Sequence, residues 1–268
     1  MKIIMTAGER IDAVQALRYV VSKLEIVAYV LEKDRPLKEI DRLCKEYNIP
    51  IYTSEEINTA ILEKSIEQPD VGISYQYRKI IKEPLLSFPR NGIINFHSAP
   101  LPEQGGVGCC CYAVLHRHNS WSVTSHYMNE GIDSGAIIKA KSFSLPTNNS
   151  TAIVVQRIIN KYKHALMNEV VDMLADGKIP EGTPQIGERG YYSQTQLDNE
   201  KIILGTETIE EIDHRIRALW LPPYHGAHIM IGEKKYSLVN QEILDELNKL
   251  YQVAFDHHQY LFDDFSDA

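Results

Sequence analysis

Through its first half the chain alternates short apolar runs with amphipathic stretches, and this alternation narrows the folds open to it more than any other feature. Residues 2–7, 26–31 and 71–75 are short, apolar and rich in β-branched side chains, and residues 49–52 form a briefer run of the same kind. Between them, Ile11, Val14, Leu17, Val21 and Leu24 fall on one face at helical spacing. Residues 37–47 repeat that texture, and Ser54 opens a third helical stretch expected to reach about residue 68. Strands and helices in this order form βαβ units and a mainly parallel sheet. Such sheets take ligands beyond the carboxyl ends of their strands. The first strand runs into Thr6-Ala7-Gly8-Glu9-Arg10, which lacks the G-x-G-x-x-G pattern, so no dinucleotide site is expected.

Further along, residues 80–88 read as a short helix or loop around Pro84, and 92–97 as another strand. A helix over 108–118, strands over 121–129 and 136–145, and a long helix over 150–175 follow. At Gly177 the texture changes. Pro180, Gly182, Pro184, Gly187 and Gly190 mark a linker. Beyond it come a helix carrying Ile209, Ile212, Ile216 and Leu219, the loop Leu221-Pro222-Pro223-Tyr224, and a hairpin over 227–239. A last helix, from Gln241 to about Tyr260, carries Ile243, Leu244, Leu247, Leu250 and Tyr251. The expected division is a catalytic α/β domain over 1–176 and a small α+β domain over 177–268.

Charge restricts the partners. The chain has 28 basic and 36 acidic residues, a net charge of −8. A protein that grips nucleic acid usually carries the opposite excess. No apolar run reaches the ~18–20 residues of a membrane span, and the N-terminus reads as a strand rather than a leader, so a cytoplasmic protein without membrane contact is expected. Cys109-Cys110-Cys111 cannot close on one tetrahedral metal, because neighbouring side chains point apart. With Cys44 they read as small apolar residues of a reduced core.

Three polar residues stand out. Asn95 and His97 lie at i and i+2 of an apolar strand, so both side chains share one face. Polar groups at the end of such a strand are costly to bury unless they are used. Asp133 sits in the glycine-flanked turn Gly131-Ile132-Asp133-Ser134-Gly135 between two strands. An Asn, a His and an Asp are thereby expected to converge at the sheet's carboxyl edge. Singly, each also admits a structural reading: a turn cap, a satisfied core histidine, an Asx-turn.

The segment from Gly92 through Asn95-Phe96-His97-Ser98-Ala99-Pro100-Leu101-Pro102 to Gly105-Gly106 resembles the N-x-H…L-L-P…G segment of the N10-formyltetrahydrofolate-dependent formyltransferases. The stretch from Trp121 through Asp133-Ser134-Gly135 to Ile138 resembles their second segment, a strand, a D-x-G turn and a strand, in the same order. The resemblance covers about residues 70–175 and implies a Rossmann-like sheet flanked by helices. It departs at Glu103-Gln104, where many members carry an Arg or Tyr, and at the three cysteines. It implies that Asn95 and His97 donate to a developing oxyanion, worth about 3–4 kcal/mol per donor, and that Asp133 relays a proton and orients His97. N10-formyltetrahydrofolate would be the formyl donor and no metal would be needed. Candidate folate contacts are Ser74, Tyr75, Gln76, Ile80, Gly131 and Gly135.

Within that family the size and short C-terminal domain resemble the sugar-nucleotide N-formyltransferases, which act on amino-deoxy sugars carried on dTDP, UDP or GDP for surface glycans, and the acidic stretch from Asp256 to Asp267 is a poor surface for tRNA. A homodimer is compatible with this reading. Trp220-Leu221-Pro222-Pro223-Tyr224 resembles their nucleotide-proximal loop, with Tyr224 as a stacking platform. Gly105 and Gly106 are expected to offer backbone N–H groups to the phosphates. The alternatives are a methionyl-tRNA formyltransferase, a non-catalytic sugar-nucleotide binding module, and a metal-dependent hydrolase using His97, His116, His118 and His126.

Overall fold

In the computed structural model, which describes residues 1–8, 10–32 and 36–257 and side chains up to residue 249, a seven-stranded sheet forms the centre. The first half supplies β1 (Lys2–Ala7), α1 (Ile11–Val21), β2 (Glu25–Leu31), α2 (Lys38–Glu46), β3 (Ile51–Tyr52), α3 (Ser54–Leu62), β4 (Val71–Tyr75) and β5 (Ile93–His97). Then follow β6 (Gly105–Gly106), α4 (Cys109–Leu115), β7 (Ser120–Tyr127), β8 (Ile137–Ser144) and α5 (Ala152–Ala175). The remainder comprises β9 (Tyr191–Tyr192), α6 (Gln194–Glu200), α7 (Ile209–Leu219), β10 (His228–Ile231), β11 (Lys234–Ser237) and α8 (Gln241–His257). Strand order is β3-β2-β1-β4-β5-β7-β8. The first five strands run parallel, and β7 and β8 add antiparallel. The fold is α/β and Rossmann-like.

Period two sorts the strand side chains into two cores. Ile3, Met5, Ile73, Tyr75, Ile94 and Phe96 join the larger core, which includes buried residues of α1, α2 and α5. Ile4, Ala28, Val30 and Ile93 face the smaller core with Ile57 of α3. α5 buries Val155, Ile159, Leu166, Val170 and Leu174 along its length.

Three expectations are corrected. Ile11 is 67% exposed, because Ala13, Ala16 and Val20 complete the inward face of α1 beside Val14 and Leu17. The third helix stops at Leu62, after which Lys64 takes a left-handed φ of 55°. Its cap is Thr53, which accepts from the Glu56 N–H while Glu56 accepts from the Thr53 N–H. The glycine- and proline-rich stretch after α5 is pinned down along its length. Thr183 bridges Ile137 through two 2.8 Å bonds, Gly190 exchanges bonds with Pro102 and Gly105, and β9 pairs with β6. At Gly106 φ is +96°, and a Cβ there would meet the Tyr192 carbonyl oxygen at 2.2 Å, so this close pairing requires glycine.

Further on, α7 packs on α4 and α5, and Leu197, Ile203, Leu219, Ala227 and Ile243 belong to the same buried cluster as the sheet. The expected hairpin is β10–β11. The expected positions of Leu250 and Tyr251 on the last helix lie outside the described side chains, and Tyr260 and the acidic run from residue 258 onward lie outside the described residues. Among the described residues no helix is long and apolar enough to cross a membrane.

Candidate active site

β5, the last of the parallel strands before antiparallel β7, ends at the sheet's carboxyl edge and delivers Asn95 and His97 on one face. Because β7 runs antiparallel beside it, His126 stands opposite Asn95 and Thr124 opposite His97. The turn between β7 and β8 then brings Asp133 back, its backbone left-handed at φ +50°. Asp133 Oδ2 lies 3.5 Å from His97 Nδ1, and Oδ1 lies 3.6 Å from His126 Nε2. Asn95 Nδ2 is 3.1 Å from the same His126 Nε2. His97 and Asp133 thus meet directly, and Asn95 joins them through His126, a residue that sequence reading considered only as a metal ligand.

Long-range contacts hold Asp133 in this conformation. Its carboxylate accepts the Gly106 N–H at 2.9 Å. Gln185 donates to the main-chain oxygens of both Asp133 and Gly135, each at 2.8 Å, and Arg189 donates to that of Ile132. Asn129 Oδ1 accepts from the Gly131 N–H and the Ser134 hydroxyl. The pinned segment after α5 is therefore a bracket around the Asp133 turn.

Electrostatics follow from this packing. Burial opposes a charge on His97, but the neighbouring Cys109, Asp133 and the Gln104 carbonyl outweigh it and raise its pKa to about 9. Burial likewise disfavours the Asp133 carboxylate, yet the His97 charge and the Gly106 N–H hold its pKa down at about 2. His97 Nε2 donates to the Gln104 carbonyl at 2.7 Å, so an incoming substrate oxygen would have to take over that hydrogen. Cys109 Sγ is 3.8 Å from the same nitrogen. Cys109 is thus partly exposed at the site, while Cys110 and Cys111 are core residues as expected.

The other expected contacts divide. Ser74 and Tyr75 are fully buried. The Tyr75 ring packs among Phe96, His164 and the Lys163 ammonium on the face away from Asn95, so it cannot form a ligand wall. Gln76 turns toward α1 and donates to Asp12, leaving its buried Oε1 without a partner. Ile80 is 64% exposed. Gly105 and Gly106 cannot serve as free phosphate donors. Their N–H groups go to the Gly190 carbonyl and Asp133, and that of Val107 goes to Tyr192. Tyr224 stands half exposed against Arg78, which donates to its hydroxyl and lies 5.4 Å from its ring centroid. Arg78 was not foreseen, since nothing local links two residues so distant in sequence. Lys163 was also missed. It is buried, and its Nζ donates to Ser98 Oγ at 3.0 Å. Among the described residues no three His, Cys, Asp or Glu side chains are grouped to hold a metal.

A family model described as formyl transferase matches residues 12–171. The chain is 28% identical over 236 residues to a methionyl-tRNA formyltransferase of Listeria monocytogenes, covering 84% of this chain and 74% of that one. Two solved structures share the fold. A 4-N formyltransferase from Francisella tularensis superposes with a TM-score of 0.73 at 17% identity, over 89% of this chain and 97% of that one. An N-formyltransferase from Helicobacter canadensis, in complex with folinic acid and dTDP-3-aminofucose, gives 0.68 at 22% identity, over 88% of this chain and 86% of that one.

Proposed function

The chain belongs to the formyl transferase family, and from that premise we propose that it moves a formyl group from N10-formyltetrahydrofolate to the amino group of a nucleotide-linked amino-deoxy sugar. The observation that carries the acceptor assignment is Tyr224 braced by Arg78 beside the end of β4. A flat ring held half exposed next to a guanidinium suits a nucleotide: the ring stacks a base and the cation faces a diphosphate. The Helicobacter canadensis neighbour, in complex with dTDP-3-aminofucose, supports dTDP as the carrier, and we assign the reaction to glycan synthesis in the cytoplasm as part of the same proposal. The net charge of −8 weighs against a polyanionic acceptor.

A folate fits the same edge of the sheet. The buried Gln76 Oε1, unpartnered within the protein, is assigned to a pterin N–H, and exposed Ile80 and the Gly131–Gly135 turn to further folate contacts. N10-formyltetrahydrofolate supplies the formyl carbon. Asn95 presents an N–H to the oxygen that gains negative charge, and His97 adds a second donor by exchanging its bond to Gln104. Asp133 accepts the proton lost by the attacking amine, keeps His97 oriented, and passes that proton to N10 of the folate as the C–N10 bond breaks and tetrahydrofolate leaves.

A methionyl-tRNA acceptor is the second reading, favoured by the Listeria monocytogenes relative. Incubation with N10-formyltetrahydrofolate and separate dTDP-, UDP- and GDP-linked amino sugars or methionyl-tRNA decides between them by mass. A gain of one formyl group on a sugar nucleotide is expected. Formylation of methionyl-tRNA alone overturns the sugar reading.

A further inference from the structure

Among the described residues the Asn95 carboxamide makes its side-chain hydrogen bond to His126, which is 2% exposed, so water does not compete for it. Its ring chemistry fixes what Asn95 does. Nδ1 lies 2.8 Å from the Tyr127 carbonyl oxygen, which can only accept. Nδ1 therefore carries the hydrogen, and in the neutral ring Nε2 is a bare acceptor. Asn95 Nδ2, 3.1 Å away, donates to it. Turned over, the amide would set Oδ1 against the same lone pair with no hydrogen between them. That repulsion selects one of two amide orientations, the one that sets Nδ2 against His126. One N–H of Nδ2 is then spent on His126 and the second remains for a ligand.

We propose that His126 is a positioning residue for formyl transfer: its tautomer, locked by Tyr127, holds the Asn95 carboxamide so that its second N–H faces the oxygen that gains charge. The strand register makes this arrangement rigid, since Asn95 and His126 are paired across β5 and β7. The inference rests on Asn95 being a donor to that oxygen, and its test separates the two ideas.

In the full chain labelled with 15N, long-range imidazole spectra are expected to show His126 with hydrogen on Nδ1 alone, and one Asn95 side-chain proton protected from exchange. His126→Leu removes that protection. An Nε2–H tautomer, or Asn95 signals unchanged by the substitution, overturns the proposal. With the acceptor identified by the substrate panel, His126→Leu is expected to lower kcat about tenfold and leave both KM values within about twofold. His126→Gln, whose carbonyl can accept from Asn95, recovers most of the rate. In an Asn95→Ala background, His126→Leu has no further effect on kcat. An additive loss in a slow Asn95→Ala enzyme overturns this proposal alone. An Asn95→Ala enzyme with full turnover overturns the assignment of Asn95, and the His126 proposal with it.

Discussion

Gln185 donates its side-chain amide to the main-chain oxygen of Asp133 at 2.8 Å, across 52 positions of sequence. The same nitrogen reaches the Gly135 oxygen at 2.8 Å, so one side chain ties both sides of a turn whose central residue has a positive φ. Aspartate tolerates left-handed backbone better than most side chains, and these two bonds fix Asp133 in it.

Gln185→Ala removes two hydrogen bonds and is expected to cost about 1–3 kcal/mol of stability. Turnover falls with it, because the Asp133 carboxylate loses its fixed position. Gln185→Glu is worse, since a carboxylate would face two carbonyl oxygens. Urea unfolding and steady-state kinetics check both; an alanine variant with wild-type stability and turnover removes Gln185 from the bracket.

The His97–Asp133 pair makes stability depend on pH at both ends of the range. His97 has a folded pKa raised to about 9, so its contribution is complete below its ordinary value near 6.5 and is lost as pH rises through about 9. Asp133 has a folded pKa lowered to about 2, so its contribution is present above about 3.9 and disappears as pH falls through about 2. His97→Gln is expected to flatten the alkaline decline between about 6.5 and 9 measured by thermal melts. A decline of wild-type size in that variant shows that another group is responsible.

Lys163 acts in the opposite sense. Burial, the largest influence on it, lowers its pKa to about 8, so the folded chain bears a cost below pH 8 that is relieved as pH rises toward 10.5. Its hydrogen bond to Ser98 offsets only part of that cost. Lys163→Met is expected to stabilise the protein at pH 7 by about 1–3 kcal/mol, with the gain shrinking by pH 10. A variant less stable than wild type at pH 7 would mean that the ammonium is better satisfied than its burial implies.

Tyr224→Ala is expected to raise the KM for the sugar nucleotide about tenfold, equivalent to about 1.4 kcal/mol of lost stacking. The KM for the folate stays within about twofold. Arg78→Ala raises the same KM, and the double variant falls short of the product of the single effects, because each residue braces the other. Unchanged nucleotide KM in both single variants assigns the pair to the packing of the C-terminal segment.

What could be read directly was everything set by local pattern. Short apolar runs located β1, β4 and β5, the 3.6-residue period located α2 and α5, and the alternation of strands with helices implied the parallel sheet. The pair Asn95 and His97 was legible because side chains two apart on a strand share a face whatever the strand pairs with. The turn holding Asp133 announced itself by its glycines. Tertiary structure decided the rest. Whether His126 faces Asn95 depends on the register between β5 and β7, and a slip of one residue would turn it to the other face. Whether Gly105 and Gly106 offer their N–H groups to a ligand depends on β9, which claims the neighbouring backbone and leaves Gly106 to bond Asp133. The proline- and glycine-rich composition of residues 177–190 is equally compatible with a free linker and with a bracket. Hydrogen bonds to Ile137, Asp133 and Gly135 made it the latter, since backbone and amide groups so placed must find partners once water is excluded.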